Sequence, residues 1–189
     1  MSYNESSIDF VAIDFEAAHL HFPCEIGLAV VRNGEITHVE RRLIKPQCYP
    51  YFHWYAKKIH GISAKDVADQ PCFDEVWKEL SSLWKGQLLI AHNASFDMGV
   101  IRKNCAAYHL PNPHNPYICS ITIAQNTWKD LAHYSLDSLC EQEGIAFSHH
   151  HAAADAEACA LLVLHAMNKL QANSMKELFE IIHTFPKKL

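Results

Sequence analysis

The hydrophobic pattern of the first 44 residues predicts three consecutive β-strands. Residues 8–15 form a nearly continuous apolar run, IDFVAIDF, which is typical of a central strand buried on both faces. Residues 25–32 and 35–44 are two further β-prone runs, and Asn33-Gly34 separates them. Because Asn-Gly readily adopts the positive φ angles of a tight hairpin turn, the pattern predicts an antiparallel meander.

After Pro46 the pattern changes to helices that alternate with short strands. Apolar side chains at helical spacing, preceded by capping residues or acids, mark the helices, and short apolar runs mark two more strands. The predicted helices cover residues 73–84, from Ser95 to about 108, from the strand end near 119 through 128, from Ser135 to about 143, 152–170 and 175–183, and the predicted strands cover residues 87–91 and 117–119. A meander followed by alternating helices and strands predicts an α/β fold with a mixed sheet.

The length and composition indicate one soluble globular domain. The chain has 189 residues, of which 49% are hydrophobic and 20% are charged, which is ordinary for such a domain. No apolar run approaches the roughly 20 residues of a membrane-spanning helix. Residues 1–7 are polar and include Glu5, unlike a secretory signal. We therefore expect no membrane contact and a cytoplasmic location.

The cysteine pattern and the net charge each argue against one class of site. Seven cysteines occur singly and none has C-x-x-C spacing, so we interpret them as reduced thiols rather than zinc ligands. The formal charge of −5 argues against a protein that holds long duplexes by bulk electrostatics. A nucleic-acid enzyme of this charge would grip a few nucleotides at an end, with metal ions supplying positive charge.

Asp14 and Glu16 lie at the end of the first predicted strand. Residues i and i+2 of a strand point to the same side, so both carboxylates project together. Two other acidic pairs with this spacing lie in predicted helices, where the two members point to nearly opposite sides. The apolar run before Asp14 favours a functional pair, and an exposed pair at a strand end is the alternative.

Three more candidate residues lie near the starts of predicted helices. Asp97 falls in the first turn of the helix that follows the strand at 87–91, and an acid that only favours the helix dipole is the simpler interpretation there. Asp155 lies among alanines in the helix at 152–170, where a buried Asp needs a partner. His150 precedes this helix within a His-His-His run, which also fits a polar loop.

Four carboxylates in one place require a counter-charge. Two like charges about 4 Å apart repel by about 4 kcal/mol at an effective dielectric near 20. Two divalent cations would neutralise the four carboxylates, and oxygen ligands suit Mg²⁺ or Mn²⁺ better than zinc. A neutral histidine beside such a centre can accept a proton from an attacking water. The set therefore predicts two-metal phosphodiester hydrolysis.

The same residues resemble the motifs of a known family. Asp14-Phe15-Glu16, the segment AHNASFD at residues 91–97, and His150-x4-Asp155 resemble the three exonuclease motifs of the DEDDh family, and within it the proofreading epsilon subunits of bacterial DNA polymerase III. The segments IHGI at 59–62 and YSLDSLC at 134–140 are also similar to that group. The resemblance covers about residues 8–170.

The resemblance implies a fold and domain bounds. The fold is ribonuclease H-like, with a five-stranded mixed sheet flanked by helices. The implied bounds are a flexible N-terminus at residues 1–7, an exonuclease domain at 8–171, and a short C-terminal helix within 172–189.

The resemblance also implies roles for individual residues. Asp14, Glu16, Asp97 and Asp155 would hold two Mg²⁺ or Mn²⁺ ions, with His150 as the general base and His151 as the fallback. The residues that would bind the terminal nucleotide are Phe15, Ala17, His60, Ile62, His92, Asn93 and Phe96. The chain departs from the family after the first motif, where Ala17-Ala18-His19 stands in place of the frequent Thr-Thr-Gly.

These implications define the expected function. We expect a 3′→5′ exonuclease that releases nucleoside 5′-monophosphates from single-stranded nucleic acid ends and binds them by sequence-tolerant stacking. DNA is favoured over RNA as the substrate, and an exoribonuclease that trims 3′ ends remains open. The alternative from another class is a non-catalytic module of this fold that binds nucleic acid or docks on a polymerase. All five candidate residues are present, which argues against that alternative.

Overall fold

The predicted order of strands and helices is present in the computed structural model, which describes residues 3–146 and 151–189. The strands are β1 (Phe10–His19), β2 (Phe22–Arg32), β3 (Glu35–Leu43), β4 (Leu89–Ala91), β5 (Pro116–Cys119) and β6 (Lys187–Lys188). The helices are α1 (Trp54–His60), α2 (Phe73–Glu79), α3 (Ser81–Trp84), α4 (Ser95–Ala107), α5 (Ser120–Thr127), α6 (Leu136–Glu143), α7 (Ala152–Leu170) and α8 (Met175–Ile181). Within these described residues, every helix is too short or too polar to cross a membrane.

The predicted hairpin turn is present, but several element boundaries differ from the predicted ones. The predicted hairpin turn is confirmed, since Asn33 has φ 51° and Gly34 has φ 81°. Strand β1 continues to His19, so Glu16 lies within the strand rather than after it. The helix predicted at 73–84 is divided at Leu80, whose φ of −78° and ψ of −2° depart from a regular helix.

The sheet is mixed, as predicted, but it has six strands in the order β3-β2-β1-β4-β5-β6. Strand β1 is central: it pairs antiparallel with β2 and parallel with β4. The prediction of five strands is wrong because β6 pairs antiparallel with β5, and Leu189 donates a backbone hydrogen bond to Asn115 at 3.0 Å. Two exposed lysines form β6, so no alternation of apolar and polar residues marks it in the sequence.

The two faces of β1 contact different sets of helices. Phe10 and Ala12 belong to a buried cluster with residues of α5 to α8, whereas Val11, Ile13 and Phe15 belong to a cluster with residues of α2 to α4. Side chains alternate along a strand, so Asp14 and Glu16 lie on the same side as Phe10 and Ala12. The face that carries the two acids is therefore the face on which α7 packs.

Helix α7 lies directly against the backbone of β2. A Cβ atom built on Gly27 would lie 2.0 Å from the carbonyl carbon of Ala152 and 2.2 Å from the amide nitrogen of Ala153. Gly27 is paired with Asp14 across the β1–β2 ladder. The missing side chain at Gly27 therefore allows the start of α7 to approach the acidic end of β1.

Gly27→Ala should destabilise the chain because a methyl group cannot fit between two backbones. We expect the free energy of unfolding to fall by about 3 kcal/mol, measured by chemical denaturation. Gly99→Ala is the control, since its Cβ would meet only the ring of His21, at 3.3 Å from Cε1, and that side chain can shift. Equal unfolding midpoints for the two variants would contradict the proposed close contact.

Candidate active site

Three of the predicted acids come together where β1 meets α7. Asp14 and Glu16 project from the same face of β1, and Asp155 lies in the first turn of α7. One carboxylate oxygen from each of the three residues lies within 4.8 Å of the other two. The set consists only of oxygen donors and has the spacing of a shared cation site, so it fits a divalent cation such as Mg²⁺ or Mn²⁺.

The fourth predicted acid, Asp97, lies beside this group and is held by the backbone of β1. Its side chain is 1% exposed, and Oδ1 accepts a hydrogen bond from the amide of Phe15 at 3.1 Å. Phe15 is the residue between Asp14 and Glu16, so Asp97 is attached to the strand at the site itself. Strand β4 and the tight turn before α4 bring it there, because β4 runs parallel to β1.

The electrostatics of the site oppose the ionisation of these acids. Burial raises the pKa of Asp14 well above its usual value, and Asp97, Asp155, Glu16 and Glu25 add repulsion. Burial, followed by the charges of Asp155 and Glu25, raises the pKa of Glu16 to about 8. Burial likewise raises the pKa of Asp97 to about 8, although the backbone hydrogen bonds it accepts oppose the shift. A cation bound at the site would therefore favour the ionised form of these carboxylates at neutral pH.

A fifth buried acid, Glu25, fixes the start of α7, and sequence reasoning missed it. Its side chain is fully buried, and Oε2 accepts a hydrogen bond from the amide of Ala152 at 2.8 Å. The other oxygen is paired with Arg41 on β3. Glu25 is the single acid within the otherwise largely apolar strand β2, and that isolation was the available signal.

The predicted general base cannot be placed in the same way. His150 and His149 lie outside the described residues. His151 is described: it is exposed, immediately precedes α7, and its carbonyl accepts the hydrogen bond from the amide of Asp155 at 3.0 Å. The chain thus enters α7 within one turn of the acidic group.

A cavity of about 400 Å³ adjoins the acids and contains four of the predicted nucleotide-binding residues. These are Phe15, Ala17, His60 and Phe96. Glu16 also lines the cavity, which connects it directly to the acidic group. The rest of the lining comes from the end of β1 and from α1 with the residue before it, and α1 is a helix whose bounds the sequence analysis did not predict.

The ring of His60 supports the wall of this cavity through two backbone contacts. Nδ1 lies 3.1 Å from the amide nitrogen of Ile62, which can only donate, so Nδ1 is the acceptor. Nε2 therefore carries the proton in the neutral ring and donates to the carbonyl of Ala17 at 3.2 Å. Ala17 lies at a register shift between β1 and β2. His60 thus holds the irregular end of β1 in place.

The other three predicted nucleotide-binding residues, Ile62, His92 and Asn93, are not among the residues that line this cavity. Ile62 is buried and packs in a small cluster with Ala18, Cys24 and Val67. Asn93 is exposed, takes a positive φ of 66°, and lines a separate cavity of about 190 Å³. Their place in the family motif was visible in the sequence, but which of the motif residues line the cavity depends on the paths of the loops.

His92 connects three separate elements. Nε2 lies 3.0 Å from the carbonyl oxygen of Tyr134 and therefore donates to it, and Nδ1 accepts from the hydroxyl of Ser120 at 2.8 Å. The ring joins the end of β4 to the start of α5 and to the loop before α6. Its observed contacts are structural ones, and it directly follows Ala91, the last buried residue of β4.

Comparison with known proteins identifies the class to which this fold and site belong. The sequence profile of the exonuclease family, RNase_T, matches residues 11–163. The chain therefore belongs to this exonuclease family. The predicted enzyme class, a metal-dependent 3′→5′ exonuclease of the DEDDh type, is confirmed for this domain.

Two relatives are polymerases of much greater length. The chain is 30% identical over 185 residues to the PolC-type DNA polymerase III of Caldanaerobacter subterraneus subsp. tengcongensis, covering 94% of this chain and 13% of the relative. It is 29% identical over 188 residues to the PolC-type enzyme of Thermotoga petrophila, covering 96% of this chain and 14% of the relative.

Solved structures with the same fold include free nucleases. Exonuclease X in complex with 5′ overhanging duplex DNA is 26% identical, with a TM-score of 0.74 over 92% of this chain and 99% of that one. The nuclease domain of 3′hExo, a DEDDh family member bound to rAMP, is 16% identical, with a TM-score of 0.76 over 96% of this chain and 97% of that one. The second likeness shows the fold alone.

The raised pKa values should make the cation-free protein less stable as the pH rises. The pKa of Glu16 and that of Asp97 are about 8 in the folded chain, against about 4 for carboxyls in an unfolded chain. Between these values the folded state binds more protons, so the free energy of unfolding falls as the pH rises. We expect the melting temperature in EDTA to fall from pH 5 to 8.5, with Mn²⁺ restoring it most at the alkaline end.

Asp97→Asn supplies the control for this pH dependence because the amide cannot ionise. The variant should show a shallower decline of melting temperature in EDTA and a smaller response to Mn²⁺. A wild-type melting temperature that is independent of both pH and Mn²⁺ would count against a shared cation site.

Arg41→Ala should destabilise the chain because it leaves the charge of Glu25 buried without its cation. Arg41 is about half exposed, with 49% of its side chain accessible, so we expect a loss of about 2 kcal/mol rather than the larger loss of a fully buried pair. Arg42→Ala is the matched control, since Arg42 pairs with Glu40 and Glu79 at the surface and should cost less than about 1 kcal/mol. If urea denaturation shows similar decreases in the free energy of unfolding for Arg41→Ala and Arg42→Ala, Glu25 does not act as an anchor of α7.

Proposed function

We propose that this domain removes nucleotides one at a time from the 3′ end of single-stranded DNA and releases nucleoside 5′-monophosphates. The observation that carries the proposal is the group formed by Asp14, Glu16 and Asp155 beside a cavity of about 400 Å³. That volume is in the range of pockets that hold a small ligand, such as one nucleotide. Glu16 belongs to both the acidic group and the cavity, so a nucleotide in the cavity has its phosphate at the acids.

The proposed cofactors are two Mg²⁺ or Mn²⁺ ions. Asp14, Glu16, Asp97 and Asp155 would hold them, because four carboxylates balance two divalent charges and every donor is a carboxylate oxygen. The ions supply Lewis acidity for phosphodiester hydrolysis. Asp97 would act from its fixed position against the amide of Phe15, so its orientation does not depend on the cation.

Substrate binding is proposed to depend on shape rather than on base identity. Phe15 and Phe96 supply apolar cavity walls, and Ala17 offers backbone groups where its family members often carry Thr. His60 holds Ala17 in place through its protonated Nε2. Apolar and aromatic walls tolerate any base because every base has an apolar face.

His150 is the proposed general base, with His151 as the fallback. A neutral imidazole at the entrance to α7 would take a proton from the attacking water while Asp155, one turn later, helps to hold the ions. His150→Ala should reduce kcat by on the order of 10²–10⁴-fold. His149→Ala is the matched control within the same run of histidines and should retain activity. If kcat is unchanged in His150→Ala but falls in His151→Ala, His151 is the general base instead.

DNA is the proposed substrate because the relatives with the higher identities are DNA enzymes by name or by bound ligand. PolC-type DNA polymerase III is 30% identical, and Exonuclease X in complex with overhanging DNA is 26% identical. The RNA-related neighbour bound to rAMP is 16% identical. An exoribonuclease is the alternative, and matched DNA and RNA strands distinguish the two.

The test is a time course on 5′-labelled DNA and RNA oligonucleotides of one sequence, with Mg²⁺ or Mn²⁺. We expect a stepwise ladder on DNA, nucleoside 5′-monophosphate as the product, and no ladder with Asp14→Ala. A faster ladder on RNA would replace DNA with RNA as the substrate. An intact strand that is bound tightly in EDTA would instead support a non-catalytic binding module.

A further inference from the structure

A patch of exposed aromatic side chains lies next to the cavity and has no role in the proposed chemistry. Trp54 is 71% exposed, Tyr51 and Tyr55 are each 54% exposed, and Tyr49 is 38% exposed. All four lie within residues 49–55, which cover the segment before α1 and its first two residues. A large exposed apolar patch on a small domain indicates a binding surface.

Ring contacts connect this patch to the cavity without a gap. Trp54 packs on Tyr55 with ring centroids 5.6 Å apart and on His53 at 5.9 Å. His53 in turn stacks on His19 at 5.6 Å. His19, His53 and Tyr55 line the cavity, whereas Trp54 lies beyond it. The aromatic surface therefore continues from the nucleotide pocket out to Trp54.

The charge of this segment is opposite to that of the whole chain. Residues 43–65 contain the four lysines Lys45, Lys57, Lys58 and Lys65 and no acidic residue, although the chain carries −5 overall. Lys57 and Lys58 are exposed on α1, and the Lys45 ammonium lies 4.7 Å from the ring centroid of Tyr49. Exposed aromatic rings interleaved with lysines have the chemistry that binds a single strand, in which bases stack and phosphates are neutralised.

We propose that Tyr51, Trp54, Tyr55, Lys57 and Lys58, here called the α1 platform, bind the nucleotides that precede the 3′-terminal one on a single strand. This inference rests on the proposed function, because the strand reaches the platform from the pocket. Bases stack on Trp54 and Tyr55, and the two lysines contact the phosphates between them. The platform makes binding depend on strand length, since a dinucleotide fills the pocket but does not extend to Trp54.

The tryptophans of the chain provide a direct measurement of binding without catalysis. Trp77, Trp84 and Trp128 are at most 6% exposed, so Trp54 accounts for the fluorescence that iodide can quench. In EDTA, where no hydrolysis is expected, saturating oligothymidylate of eight nucleotides should protect the fluorescence from iodide, whereas thymidine dinucleotide should not. Equal quenching with and without the octanucleotide would overturn the proposal.

Substitution then tests whether the platform contributes to turnover. Trp54→Ala should raise KM for the octanucleotide by on the order of tenfold, with kcat unchanged, and Trp54→Phe should restore most of the affinity. On the dinucleotide, Trp54→Ala and wild type should have the same kcat/KM. Ile181→Ala removes an exposed apolar side chain on α8 and should leave both substrates unaffected. Equal KM values for wild type and Trp54→Ala on both substrates would assign the patch to another partner.

The lysines supply a second, electrostatic test. Lys58→Gln should weaken octanucleotide binding. It should also reduce the slope of log Kd against log salt concentration by the amount that corresponds to about one phosphate contact. Lys85→Gln is the control, because Lys85 is exposed just before β4, at the opposite end of the sheet from the acids. Identical salt dependences for the two variants would contradict a phosphate contact at α1. Failure of the proposed function is distinct from these outcomes, since it would abolish cleavage of both substrates.

Discussion

Repulsion among buried carboxylates is the constraint on which this structure depends. Asp14, Glu16 and Asp155 approach within 4.8 Å because α7 packs directly on the central strands. Contacts made by residues outside this group of three enforce this approach: Gly27 lets the two backbones meet, and Glu25 binds the amide of Ala152. The favourable free energy of packing thus offsets the electrostatic repulsion among these carboxylates. Cation binding relieves that repulsion, so folding and metal binding are linked at this site.

One irregular strand end contributes to both the acidic group and the cavity. The register of β1 against β2 shifts after Glu16, where the carboxylates lie on the side of α7 and Ala17 forms part of the cavity wall. Helix α1 closes the cavity from the other side and carries Trp54 to its outer edge. The acids and the aromatic surface therefore form a continuous path, which is the arrangement that an enzyme acting on a chain end requires.

Local signals in the sequence were sufficient where neighbouring residues determine the structure. The apolar run of β1, the Asn33-Gly34 turn and the alanine-rich start of α7 are of this kind. The pairing of Glu25 with Arg41 is not, because it depends on the register between β2 and β3. Motif resemblance likewise indicated where acids belong in the chain. It could not show that the ring of His92 forms hydrogen bonds with Ser120 and Tyr134, which lie much later in the sequence.

The contacts of His60 have a consequence for how the domain uses its histidines. A ring whose Nδ1 accepts the amide hydrogen of Ile62 has no room for a second proton, since two hydrogens would then lie between nitrogen atoms that are 3.1 Å apart. His60 is therefore excluded from proton shuttling as long as the cavity keeps its shape. Within the part of the chain that the structure describes, His60 thus acts as a structural residue that holds the irregular end of β1.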